Sequence, residues 1–277
     1  MRTPPVVDVA WLAGHPEAVV LDGRWYLDGG AARGRAAFDG GHLPGARFVD
    51  LDRCEAGPPS AAAGRHPLPS PEDFAACCTA LGIGPDSTVV VYDDAGGMAA
   101  GRMVWLLRAV GVEAAVLDGG IGAWTGPLAT DEPTFEPAVP ALAPRPWPEH
   151  LLATAEQVAA NQADVVVDAR APERYRGEVE PIDPRAGHIP GAVNVPFAGN
   201  VDEQGRWRSP AELRARFEAA GVAECDDVVV YCGSGVTACH DLLALERAGL
   251  GPGRLYAGSW SQWSSDPDRP AATGEDP

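Results

Sequence analysis

The chain has no lysine. All 21 basic residues are arginine, set against 39 acidic residues for a formal net charge of -18 over 277 residues. Binding DNA or RNA requires a broad cationic footprint, so this balance excludes a nucleic acid as the main partner and leaves any anionic ligand to a few local arginines. Long apolar runs are missing as well. No stretch reaches the roughly 18 uninterrupted apolar residues of a membrane helix, and the opening segment is broken at Asp8 and His15; we expect no membrane association, no secretory signal and a cytoplasmic location. The six cysteines, at 54, 77, 78, 225, 232 and 239, show no C-x-x-C or paired Cys/His spacing. That excludes a structural zinc and points to reduced thiols, with no metal site expected. Aromatics are scarce at 7%, yet hydrophobic residues reach 45%, enough for real cores and incompatible with wholesale disorder. The 33 glycines and 27 prolines follow no Gly-X-Y period, so they mark turns and a linker rather than a fibre.

What is present is said twice. Val20-Leu21-Asp22 is matched by Val166-Val167-Asp168, and Gly41-His42-Leu43-Pro44-Gly45-Ala46 by Gly187-His188-Ile189-Pro190-Gly191-Ala192, both at an offset of 146 residues. Val89-Val90-Val91-Tyr92 matches Val228-Val229-Val230-Tyr231 at an offset of 139, which persists from Trp124 to Trp263. Two matched points at each offset indicate a duplicated domain. Between the halves, residues 126–150 carry seven prolines in 25 positions, the composition of a semi-extended linker. The expected division is 1–125, linker 126–150, and 151–277.

Within each half, β-branched runs alternate with amphipathic stretches. Ala18–Asp22, Thr88–Tyr92, Ala115–Leu117, Asp164–Asp168, Asp227–Tyr231 and Arg254–Tyr256 are candidate strands, and their continuous apolarity suits strands covered on both faces. Ser70 and Ser209 each precede a proline and first-turn acid, and Thr154 with Gln157 forms a capping box, so helices should start there. The fold class is α/β: two domains, each a mostly parallel sheet flanked by helices.

The segment from Val228 to Ala238 reads as a strand, then a tight loop Cys232-Gly233-Ser234-Gly235, then a helix running from Val236 and Thr237 to about Arg247, with Gly249 near its C-cap. A cysteine at the carboxyl end of a parallel strand sits where α/β folds place ligands. Two glycines let the loop curl so that backbone N–H groups point inward, an anion nest that favours thiolate over thiol and would equally cradle a persulfide. A cysteine phosphatase needs an arginine closing such a loop; here those positions are Ala238 and Cys239, which argues against phosphoryl chemistry. Cys54, Cys77, Cys78 and Cys225 read as packing residues or bystanders, and Cys239 as buried helix surface.

Placed after VVVY in the second of two GHxPGA-bearing halves, the run Cys-Gly-Ser-Gly-Val-Thr resembles the loop of tandem rhodanese-domain sulfurtransferases, in particular the 3-mercaptopyruvate branch. The resemblance implies that Cys232 takes a sulfur atom as a persulfide and passes it to a thiol acceptor, such as a thioredoxin-type protein, or to cyanide. No cofactor is implied, because the thiolate carries the chemistry. The first half has Asp93 at the aligned position and is implied to be non-catalytic. In Asp168-Ala169-Arg170-Ala171-Pro172-Glu173-Arg174-Tyr175-Arg176-Gly177 the arginine before the aromatic, Arg174, is the implied holder of the donor, Arg170 a brace of the fold, and Arg185 the nearest match to a second substrate arginine. The loop residues Gly233, Gly235, Val236 and Thr237 complete the expected binding site. His66, which has no repeat partner, and Asp52 are implied to form a relay with Ser234 that protonates the departing pyruvate enolate. His188, matched by His42 in the half without a loop cysteine, reads as a turn-stabilising residue.

A loop without cationic side chains suits a 2-oxo acid thiol with one carboxylate better than dianionic thiosulfate. Two alternatives stand beside the mercaptopyruvate reading: thiosulfate as donor, and a sulfur-carrier or sensing module whose exposed thiol is modified without turnover of its own.

Overall fold

The structure is a computed structural model that describes residues 3–223 and 227–277. Cys225 lies outside the described residues. Contacts divide the chain into two units, Met1–Gly57 with Pro69–Trp147 and Asp202–Trp207, and Pro58–Leu68 with Pro148–Val201 and Arg208–Pro277. The units are therefore not simple halves: residues 58–68 belong to the second and residues 202–207 to the first.

In the first unit, β1 (Val6–Val7), β2 (Val19–Asp22), β3 (Arg47–Phe48), β4 (Thr88–Tyr92) and β5 (Glu113–Leu117) form a parallel sheet in the order β1-β5-β4-β2-β3. In the second, β6 (Val165–Asp168), β7 (Ala192–Asn194), β8 (Val228–Tyr231) and β9 (Arg254–Leu255) are parallel in the order β7-β6-β8-β9. The two-residue strands β1 and β3, and β7, were not legible in the sequence because each is too short to carry a periodic signal. The four residues of β8 are at most 1% exposed. Each apolar side chain removed from water in this way contributes about 1.5–3 kcal/mol.

The helix starts fall where the sequence places them. Ser70 Oγ accepts from Asp73 N–H at 3.0 Å to open helix Pro71–Ala80, and Thr154/Gln157 and Ser209/Glu212 form reciprocal capping boxes. Helix Val236–Ala248 ends on Gly249 with φ 72°, a left-handed cap that glycine adopts without a Cβ penalty.

The duplication is visible atom by atom. Arg24 donates to the Asp22 carboxylate (3.0 and 2.6 Å) and to Gly41 O (2.8 Å); Arg170 does the same to Asp168 (3.0 and 2.6 Å) and Gly187 O (2.7 Å). Tyr92 Oη receives Leu43 N–H and Tyr231 Oη receives Ile189 N–H, each at 3.1 Å. His42 stacks on Phe38, and His188 stacks on Tyr175 with its Nδ1 2.8 Å from Tyr175 O. These buried polar groups tie the strand ends to the GHxPGA turn, the structural role read for Arg170 and His188.

Two features differ from the sequence reading. The proline-rich segment packs on the first unit rather than hanging free: Ala138 and Leu142 donate to Thr79 O and Oγ1 at 2.9 and 3.0 Å, and the Trp147 indole to Pro69 O at 2.8 Å. Cys54 and Cys77, read as bystanders, are joined as a disulfide. Residues Leu51–Glu55 coil into a π-helical turn against helix Pro71–Ala80, bringing the two Cα atoms to 5.7 Å, within disulfide range. Cys78, Cys232 and Cys239 are free thiols.

Candidate active site

The site is built at the carboxyl end of β8. Cys232 is 2% exposed, and its Sγ receives the Gly235 N–H at 3.1 Å. Gly235 has φ 79°, and a Cβ there would lie 2.6 Å from Ala257 O, so a side chain is excluded twice over. The loop is held from below by Ser259–Trp263: Trp260 and Ser261 N–H donate to Cys232 O and Gly233 O at 2.9 Å each. Cys239, one turn into the following helix, donates its thiol to Gly235 O at 3.3 Å, which fits the packing role read for it.

The first unit holds the same loop with an acid in place of the thiol. Asp93 stands where Cys232 does, and its carboxylate accepts N–H groups of Ala95, Gly97, Ala99 and Ala100 at 2.8–3.0 Å. That loop is filled by its own anion. The equivalent nest in the second unit is lined by a sulfur atom instead, which is the physical difference between the two repeats.

Ser259 was not found by sequence reasoning. It is fully buried at φ 53°, a left-handed conformation that costs a non-glycine residue strain, and its counterpart in the first unit is Gly120 at φ 54°. Its hydroxyl accepts the Cys232 N–H at 3.2 Å and donates to Tyr256 O at 2.9 Å. Only the departure from glycine at the repeat position could have signalled it.

His66 reaches the loop because residues 58–68 are pinned to the second unit: Arg65 N–H donates to Ser261 Oγ at 3.0 Å and Gln262 Nε2 to Ala62 O at 2.6 Å. His66 Nδ1 then lies 2.8 Å from Ser234 Oγ. Asp52, the third member of the expected relay, belongs to the first unit, where its carboxylate accepts the Trp25 indole N–H at 3.3 Å.

Arg174 also faces the loop. Its Nε and Nη2 are held by Glu180 at 3.3 and 2.7 Å, and Nη2 by Asp183 at 3.0 Å. A Cβ on Gly233 would lie 3.3 Å from Arg174 Nη1 and 3.0 Å from Nη2 of Arg65, a residue absent from the sequence reading. Arg65 Nη1 is paired with Asp183. Burial raises the Asp183 carboxyl above its ordinary value, opposed by Arg65 and Arg174. Arg185 is corrected: its guanidinium donates to the carbonyls of Ser264, Arg269, Trp263 and Asp266 at 2.7–3.1 Å. Four of its five N–H donors are spent on tying down the segment after Trp263, a bracing role rather than the substrate role expected of it. Val236 is buried and Thr237 half-buried at the first turn of the helix. Among the described residues no cluster of His, Cys, Asp or Glu could hold a metal ion.

A strand-end cysteine in a backbone nest, duplicated with an acidic decoy on a second parallel sheet, is the plan of a two-domain sulfurtransferase. The rhodanese-like domain profile matches residues 8–127 and again 153–266, and the chain belongs to that family. It is 44% identical over 269 residues to the probable 3-mercaptopyruvate sulfurtransferase of Pseudomonas aeruginosa, covering 94% of both chains. To the putative thiosulfate sulfurtransferase of Mycobacterium tuberculosis it is 41% identical, covering 95% and 93%. Among solved structures, the 3-mercaptopyruvate sulfurtransferase of Escherichia coli superposes with a TM-score of 0.79 at 33% identity, over 93% of this chain and 99% of that one. The chain is thus a sulfurtransferase of the rhodanese family. No helix of the described residues is long and apolar enough to cross a membrane.

Proposed function

We propose that this protein moves a sulfur atom from 3-mercaptopyruvate to a thiol acceptor through a Cys232 persulfide. The observation that carries the reading is the Cys232 loop, in which the sulfur receives the Gly235 N–H at 3.1 Å and Ser234 is joined to His66. The Cys232 thiolate attacks the donor sulfur; the S–S bond forms as the carbon–sulfur bond breaks, and its electron pair leaves on the pyruvate enolate. Ser234 Oγ–H protonates the enolate carbon and is restored through His66 Nδ1, which takes its proton from solvent. Asp52 enters this scheme from the resemblance alone, as the group that orients His66. An acceptor thiolate then attacks the outer sulfur, and Cys232 leaves as thiolate.

Arg174 supports a carboxylate-bearing donor, since its Nη1 faces Gly233 while its other nitrogens are anchored. A small thiol or a thioredoxin-type protein is the acceptor in this reading and the cytoplasm its setting. Mass spectrometry after incubation with 3-mercaptopyruvate should show one added sulfur on Cys232, and Cys232→Ser should abolish turnover. An active Cys232→Ser protein defeats the reading. Comparing kcat/KM for mercaptopyruvate and thiosulfate decides the donor.

A further inference from the structure

We propose that Arg65 is the second cation of the donor-carboxylate site, forming with Arg174 a two-guanidinium clamp over Gly233 that is braced by Asp183. The inference rests on the mercaptopyruvate reading above and names the residue that completes its binding site.

Three observations converge. Each guanidinium has one nitrogen anchored on the same carboxylate: Arg65 Nη1 pairs with Asp183 Oδ1, and Arg174 Nη2 lies 3.0 Å from Asp183 Oδ2. Each has another nitrogen turned to the loop, Arg65 Nη2 and Arg174 Nη1, at 3.0 and 3.3 Å from where a Gly233 Cβ would be. Among the described residues neither has an acceptor within hydrogen-bond distance. Asp183 itself is aimed by Glu180, whose carboxylate accepts the Ile182 and Asp183 N–H groups at 3.1 and 3.0 Å while gripping Arg174. Donors fixed before the ligand arrives cost little ordering on binding. Gly233 has an ordinary φ, and a Cβ there would press on both guanidiniums.

The charge count selects the ligand. Arg65, Arg174 and Arg170, which also reaches Glu180 at 3.4 Å, are balanced by Glu180, Asp183 and Asp168, so the cluster is neutral overall and a single carboxylate leaves it one charge negative. A dianion such as thiosulfate would leave two uncompensated charges in a partly buried site. Arginine is required at residue 65 because the side chain must hold Asp183 with one nitrogen and the ligand with another; lysine has only one.

The test uses the full-length protein and the variants Arg65→Lys and Arg65→Gln. Lysine can keep the Asp183 ion pair, and with it the fold, while giving up the second donor. Three quantities are read: kcat and KM for 3-mercaptopyruvate, the inhibition constant of pyruvate as an unreactive 2-oxo carboxylate, and the rate at which uncharged methyl methanethiosulfonate modifies Cys232. In both variants KM and the pyruvate constant should rise at least tenfold, with kcat changed less than threefold and the modification rate within twofold of wild type. Unchanged KM and pyruvate binding overturn the proposal and leave the mercaptopyruvate reading intact. A parallel fall in the modification rate also overturns it, because Arg65 would then shape the loop rather than hold the donor. A wild-type protein inert toward mercaptopyruvate overturns the functional reading and the clamp together.

Discussion

Replacing Ser259 by glycine sets two opposing effects against each other, and the geometry decides which wins. The residue is fully buried at φ 53°, and releasing a non-glycine residue from the left-handed region recovers about 1–2 kcal/mol. Glycine returns roughly 0.5–1 kcal/mol of that through the larger backbone entropy of the unfolded chain. The substitution also deletes the hydroxyl that accepts the Cys232 N–H at 3.2 Å and donates to Tyr256 O at 2.9 Å. Two buried groups lose their partner, at about 1–3 kcal/mol each. The net expectation for Ser259→Gly is a loss of about 0.5–6 kcal/mol, read by denaturant unfolding. Ser259→Ala, which keeps the strain and loses the hydroxyl, should fall further by about 1 kcal/mol. With the Cys232 N–H left without its acceptor, single-turnover persulfide formation should slow about tenfold, the equivalent of about 1.4 kcal/mol in the barrier. A Ser259→Gly protein as stable and as fast as wild type would refute the assignment and reduce Ser259 to a strained relic of the position that Gly120 occupies in the first unit.

Arg185→Gln removes a guanidinium bound to four carbonyls, so it should lower stability by about 2–4 kcal/mol while leaving KM for the donor within twofold. A selective rise in KM would restore Arg185 to the substrate site. Burial pushes the Glu55 carboxyl from 4.5 up to about 8, with Arg102 opposing and Asp50 and Asp52 adding to the shift. The folded state therefore holds this proton more tightly than the unfolded state. Its contribution to stability is fully present below about pH 4.5 and is lost as the pH rises through about 8, a swing on the order of 4–5 kcal/mol at most. Glu55→Gln should accordingly gain stability over wild type at pH 8 but not at pH 4.5, and equal differences at the two pH values would contradict the burial argument.

Much of the site was legible because it is local. Val228 to Ala248 states its strand, loop and helix in consecutive residues, and the GHxPGA repeat identified His188 as a turn residue before its stacking on Tyr175 was known. Arg185 misled for the opposite reason. Its neighbours in sequence say nothing of Trp263, Ser264, Asp266 and Arg269, the residues 78 to 84 positions away whose carbonyls consume its donors. Cys54 and Cys77 misled likewise, since only the packing of a π-helical turn on its neighbouring helix brings residues 23 positions apart into bonding range.

The amino-acid order by itself determined the duplicated parallel α/β plan, the one repeat able to carry sulfur, and the nest around Cys232. These follow from periodicity, capping and glycine placement within a dozen residues. Tertiary structure alone decided that residues 58–68 join the second unit and so deliver Arg65 and His66 to a loop nearly 170 positions away. A local pattern constrains what a segment can become. Which distant segment it meets is settled by burying apolar surface and pairing every buried donor across the whole fold.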